Sequence, residues 1–103
     1  MREFKRTTNG FNYVFEDKIN ANETIILKMP SITPNKRGIN DIGFSVDDGI
    51  VLYATISSKP DSDNASLWQE IDPFDEINKT TSYIKIENTT DEIKSVIIRA
   101  ILN

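Results

Sequence analysis

The chain has 103 residues, a mass of 11.7 kDa and a net charge of −4. That length gives one small domain, which buries roughly 65% of the surface its unfolded form exposes. It holds no cysteine and no histidine, which excludes a disulfide scaffold, a zinc finger, a thiol nucleophile, a Ser-His-Asp triad and a histidine-ligated haem.

In chain order, residues 1–10 come first as a separate unit. Arg2, Lys5 and Arg6 against Glu3 give the segment +2, so the other ninety-three residues carry −6. The segment has one aromatic, Phe4, and ends in the breaker pair Asn9-Gly10. It reads as an extended basic arm. As an arm it is either a disordered terminus or a segment that orders on an acidic neighbouring subunit.

From residue 11 to 103 the pattern is strand, turn, strand. Phe11, Tyr13 and Phe15 alternate with Asn12, Val14 and Glu16, which predicts a half-buried strand. Asp17 to Asn22 is a polar turn. Ile25-Ile26-Leu27 is a continuous apolar run, expected to be covered on both faces. Pro30 and Pro34 bracket a stretch that is not a central strand, and Asn35 to Gly38 is a turn.

Ile42, Phe44 and Val46 form one apolar set, and Ile50, Leu52, Ala54 and Ile56 form a second, across Asp47-Asp48-Gly49. A hairpin is predicted. A two-residue turn would send the two sets to opposite faces. A three-residue loop with Gly49 left-handed pairs Val46 with Ile50, Phe44 with Leu52 and Ile42 with Ala54, and keeps both sets on one face. Residues 57–80 are a long irregular section. Within it Leu67 to Ile71 is a short strand or irregular turn rather than a helix, because Pro73 stops a helix there. A second hairpin closes the chain: Ser82, Ile84 and Ile86 alternate with Tyr83, Lys85 and Glu87, and Asn88 to Glu92 turn into VIIRAIL. That last strand is apolar on both sides except at Arg99, so it is expected to be central or covered.

Sixteen isoleucines against four leucines and four alanines fit this strand reading, and ten asparagines suit its turns. Seven or eight strands at short spacing predict an all-β fold, a single antiparallel β-sandwich or jelly-roll-like domain.

The candidate sites offer little chemistry. Glu70, Asp72, Asp75 and Glu76 cluster, but a solvated acidic loop explains them better than a glycosidase pair. Asp61 to Asn64 places oxygens at alternate positions; the EF-hand series then fails at Ala65, and Asx-type turns account for the same residues. No cofactor and no metal is expected, and the chain does not read as an enzyme. Trp68, the only tryptophan, is an anchor for the long loop, an interface residue or a sugar platform. Tyr83 is expected to face outward beside Lys85. The N-x-S/T sequons at Asn22, Asn64, Asn78 and Asn88 are common by chance in a chain this rich in Asn and Thr. No basic face suggests nucleic acid, and no apolar run reaches membrane-spanning length. No signal peptide is read at the start, so synthesis in the cytoplasm is expected.

The runs DIGFSVDDGIVLYATISSKP, LWQEIDPFDEINKTTSYIKIEN and VIIRAILN resemble small all-β virion proteins of tailed bacteriophages, over about residues 39–103. The resemblance lies in texture: a short strand-rich chain, a tryptophan in the loop segment, an isoleucine-rich closing hairpin and a C-terminus ending on a strand. It implies a capsid auxiliary, decoration or head-associated protein, many copies per particle, bound to the major capsid protein or other head components, with homo-oligomers possible and no catalytic residues. The expected partner-binding residues are Arg2, Phe4, Lys5, Arg6, Trp68, Phe74 and Tyr83. The alternative is a carbohydrate- or receptor-binding module that uses Trp68 and Tyr83.

Overall fold

The computed structural model describes residues 3–6, 12–29, 39–57, 61, 64–72 and 81–102. Eight strands lie among them: β1 Lys5–Arg6, β2 Asn12–Ile19, β3 Thr24–Lys28, β4 Ile39–Val46, β5 Ile50–Thr55, β6 Gln69–Ile71, β7 Tyr83–Asn88 and β8 Lys94–Leu102, with one 3-10 turn at Ala65–Leu67. They form two antiparallel four-stranded sheets, ordered β1-β2-β8-β4 and β3-β7-β5-β6, packed as a sandwich.

Period-two alternation explains which side chains are inside. On β8, Val96, Ile98 and Ala100 are buried, while Ser95, Arg99 and Ile101 are exposed and Ile97 is half-buried. On β7, Ile84 and Ile86 are buried on the inner face. Phe15, Ile19, Leu27, Met29, Leu52 and Ala54 join them in the core, with Ile42, Phe44, Val46 and Ile50 packed against it. Each fully buried isoleucine stabilises the fold by roughly 2 kcal/mol relative to exposure. β8 is central, between β2 and β4, as its two-sided apolar character predicts.

Neither predicted hairpin forms. β4 pairs with β8 and β5 pairs with β7 and β6, so the Asp47-Asp48-Gly49 connection crosses from one sheet to the other. β7 and β8 likewise lie in different sheets. The apolar sets do face one core, but across the sandwich rather than side by side. Ile56 lies beyond the end of β5 and is exposed. β3 is a flanking strand with one covered face: Ile25 and Leu27 point in, while Thr24, Ile26 and Lys28 point out. The predicted turn around Asp17 starts later, because β2 runs on to Ile19. Leu67 to Ile71 divides into the end of the 3-10 turn and the short strand β6. The expected turn at 35–38 lies outside the described residues.

Three connections between sheets, β2–β3, β4–β5 and β7–β8, meet at one end of the sandwich and hold one another. Gly49 sits at φ 90°, the left-handed placement expected of it. Its carbonyl accepts hydrogen bonds from the Thr89 N–H (3.0 Å) and the Thr89 hydroxyl (2.7 Å). Asn22, also left-handed at φ 59°, donates its N–H to the Thr90 carbonyl at 3.0 Å. Asp47 donates its N–H to the Ser95 carbonyl and accepts the Ser95 N–H on Oδ2 at 2.8 Å.

Asn88 is the centre of this end and is only 1% exposed. Its Nδ2 donates to the carbonyls of Ile19 (3.0 Å), Asn20 (3.1 Å) and Glu92 (2.7 Å). Its Oδ1 accepts from the Thr90 N–H and hydroxyl. A buried amide is tolerated only when its bonds are made, and here they tie the β2–β3 connection to the β7–β8 connection.

Candidate functional site

The outward face of the second sheet carries a row set by register: Ile26 on β3, Lys85 on β7, Tyr53 on β5 and Glu70 on β6. Lys85 is 9% exposed although it points away from the core. Its ammonium lies 4.5 Å from the centre of the Tyr53 ring and 5.1 Å from that of Trp68. The two rings cover the lysine stem and hold the charge by cation–π attraction, a contact worth about 0.5–2 kcal/mol. Burial raises the Tyr53 phenol pKa above the ordinary value, and the charges of Glu87 and then Glu70 add to the rise.

Trp68 is 8% exposed, and its indole N–H donates to the Asp61 carbonyl at 2.9 Å. Asn64 organises the same loop: its Oδ1 accepts the Ser66 N–H and hydroxyl, and its carbonyl accepts the Leu67 N–H. Trp68 thus pins the loop to the second sheet, and its ring presents no open face for stacking a sugar. Tyr83, on the same outer face, is half-buried beside Lys28 and Thr55 in register.

The basic N-terminal segment lies elsewhere. Lys5 pairs with Val14 and Arg6 with Tyr13, so these residues form the outermost strand of the first sheet. Phe4 packs on the core, its ring 6.2 Å from that of Phe15 at 59°. The stretch read as an arm is therefore, over Lys5–Arg6, a strand of its own domain; Phe4 supplies the apolar anchor. Arg2 and Phe74 lie outside the described residues. β1 is an edge strand of the first sheet and β6 an edge strand of the second. Of the expected contact residues, Lys5 and Arg6 belong to the edge strand of the first sheet with Phe4 just before it, while Trp68 and Tyr83 belong to the outer side of the second sheet.

Among the described residues no group of three or more acidic side chains is placed to hold a metal ion. A hollow of about 490 Å³ under the β4–β5 connection is lined by Phe44, Val46 and Ile50 with Ser45, Asp47 and Asp48. Its polar groups belong to the turn itself. No described helix is long and apolar enough to cross a membrane. Sequence reasoning missed two features. Lys85 was legible as an outward lysine, but its aromatic cover came from a distant loop. Asn88 was visible only as a sequon and a turn residue. No family model, no curated protein and no solved structure matches this chain. What the fold defines is an all-β sandwich of two four-stranded antiparallel sheets.

Proposed function

We propose that this chain is a virion structural protein, a capsid auxiliary or head-associated component that binds the major capsid protein or another head component and stabilises the particle by protein–protein contacts. The resemblance of residues 39–103 suggests the setting. The observation that carries the reading is the placement of the basic N-terminal strand. Lys5 and Arg6 are exposed on the outermost strand of the first sheet, while the ninety-three residues after position 10 carry −6. A short cationic strand at a sheet edge suits an acidic neighbour, and the acidic body keeps the free protein soluble. Such a contact weakens with salt, because exposed charges are screened beyond about 8 Å at physiological ionic strength.

The test is mass spectrometry of density-banded particles produced from the genome that encodes this chain. The expected result is the chain at many copies per particle, stripped progressively by salt and lost in a K5E/R6E variant. Particles that never contain it overturn the reading.

A further inference from the structure

Four strands end the two sheets. β1 and β6 have two and three residues, and β4 breaks register between Ile39 and Asp41. Short or bulged edges resist further pairing. β3 has neither protection. It keeps an unbroken register over five residues against β7, and no described strand pairs with its other side. Its one charged side chain, Lys28, stands at the end of the strand rather than at its middle. The direction of its backbone groups follows from the two bonds that bracket it. Met29 donates its N–H to the Ser82 carbonyl at 2.9 Å, and the Glu23 carbonyl accepts the Asn88 N–H at 2.9 Å. Antiparallel ladders alternate, so Ile25 and Leu27 also bond toward β7. The N–H and C=O groups of Thr24, Ile26 and Lys28 point to the open side.

This open backbone is closed at both ends, at the same distance from its middle. Four residues before Ile26, Asn22 turns left-handed at φ 59° and gives its N–H to the Thr90 carbonyl. Four residues after Ile26 comes Pro30, which has no N–H. A template with matched stops fits a strand that is stopped in the same way. Laid antiparallel about Ile26, β3 of a second copy sets Ile26 opposite itself and Thr24 opposite Lys28, each pair exchanging both of its N–H···O bonds. On the outer face Ile26, 37% exposed, covers its own counterpart. On the inner face the half-buried Ile25 meets Leu27. The charges fit the same register. Thr24 lies between Glu87 of its own β7 and Lys28 of the second copy, so the lysine reaches the carboxylate over the small threonine, twice by symmetry. Glu23 accepts the Asn20 N–H on Oε1 at 3.0 Å and falls opposite Met29. Lys85, in the row that ends at Ile26, stays covered by Tyr53 and Trp68. No like charges meet across the ladder.

We propose that β3 pairs with β3 of a second copy of this chain, antiparallel about Ile26, and joins the two second sheets into one continuous sheet. The contact is two-fold symmetric and uses both open edges, so association stops at two. Backbone bonds supply the affinity, and the side-chain register supplies the specificity. The dimer does not depend on the virion setting; it stands or fails on self-association in solution.

The test is sedimentation of the full chain across concentration. Expected is a monomer–dimer equilibrium with no larger species. Ile26→Pro removes an N–H that serves no bond within the chain, at an edge position where proline is tolerated. It should abolish the dimer and leave a cooperatively folded monomer. Ile26→Lys sets two cations opposite each other on the two-fold axis, and should weaken the dimer at least about tenfold without touching the backbone. If Ile26→Pro fails to fold, Ile26→Lys decides alone. The chain has no cysteine, so oxidative crosslinking reads the register. Thr24→Cys mixed with Lys28→Cys should give a disulfide-linked dimer, because a hydrogen-bonded pair holds its Cα atoms about 5.5 Å apart. Neither variant alone should crosslink, since like positions then lie about 13 Å apart along the strands. Three results overturn the proposal: a monomer at every concentration, a dimer undiminished in Ile26→Lys, or crosslinking of either cysteine variant alone in preference to the mixture.

Discussion

Two residues at the interlocked end carry more than their size suggests. Replacing Asn88 with alanine removes the amide donor shared by the Ile19, Asn20 and Glu92 carbonyls and the acceptor of the Thr90 N–H, although Asn20 keeps the Glu23 N–H and Glu92 keeps the Thr90 hydroxyl. The expected cost is about 2–4 kcal/mol in urea unfolding. Asn88→Asp is the sharper probe. It keeps the shape and the Thr90 acceptor, but points a carboxylate oxygen at three carbonyls. It should destabilise at least as much as alanine at neutral pH and recover part of the loss on acidification, when the protonated acid regains one donor. Equal stability of Asn88→Asp and the natural chain would refute the role assigned to the Nδ2 group. At Gly49 two costs coincide: φ 90° and overlap of any Cβ with the Thr90 methyl. Gly49→Val should lose several kcal/mol, of which about 1–3 is backbone strain. Gly49→Ala combined with Thr90→Ser removes the methyl yet keeps the hydroxyl bond to Asn88, so the pair should cost less than the sum of the singles. The need for glycine at 49 was legible from the spacing of the flanking apolar sets. The methyl that crowds it was not, since Thr90 is brought there by another connection. Tyr53 offers a pH signature. Its raised pKa contributes stability that is present below the free phenol's pKa and is lost as pH rises through the folded value. Ultraviolet titration should show one late-ionising phenol, absent from Tyr53→Phe.

At the scale of elements, alternation located nearly every strand but not its partner. Side chains of period two report which face is inside, and a hairpin and a crossover between sheets both satisfy that constraint. The Asp47–Gly49 and Asn88–Glu92 turns are short enough for either. What favours the crossover is the company: Ser95 bonds Asp47 in both directions, and Asn88 reaches the β2–β3 connection. These partners are remote in sequence and invisible to any local window. The N-terminal strand shows the same limit. Its charge marked it as separate, while the pairing of Lys5 with Val14 and the packing of Phe4 on Phe15 depend on β2 being in place. Deleting residues 1–6 should therefore leave a folded domain, weakened by about 1–3 kcal/mol through loss of the phenylalanine. Lys5→Ala/Arg6→Ala should change stability by less than about 0.5 kcal/mol. Chemical denaturation of the two variants separates apolar anchoring from charge; a larger effect of the charge pair would reverse the assignment. The candidate contact residues were legible as residue types, and their division between the two sheets was not.

For the whole molecule, crossovers in place of hairpins make the central pairings non-local. Asn12 meets Ile101, Thr24 meets Glu87, and Val46 meets Val96. The last long strand, β8, lies between β2 and β4 and supplies Val96, Ile98 and Ala100 to the core. The first sheet therefore has no stable partial form made of sequence neighbours, and the second lacks a covered face until the first assembles. Loop-closure entropy is met before most native contacts form, which places such topologies in the millisecond-to-second range. Unfolding should be a single cooperative transition. Trp68 fluorescence reports the flank of the second sheet, and far-ultraviolet circular dichroism reports both sheets, so the two probes test whether the sheets part company. Their denaturation midpoints should coincide. Truncation before Lys94 should abolish the transition altogether, because β2 and β4 would then lose their common partner. An early fluorescence transition, followed by a later loss of circular dichroism, would mean that the loop held by Trp68 releases first. It would restrict the cooperative unit to the strands that the interlocked end binds together.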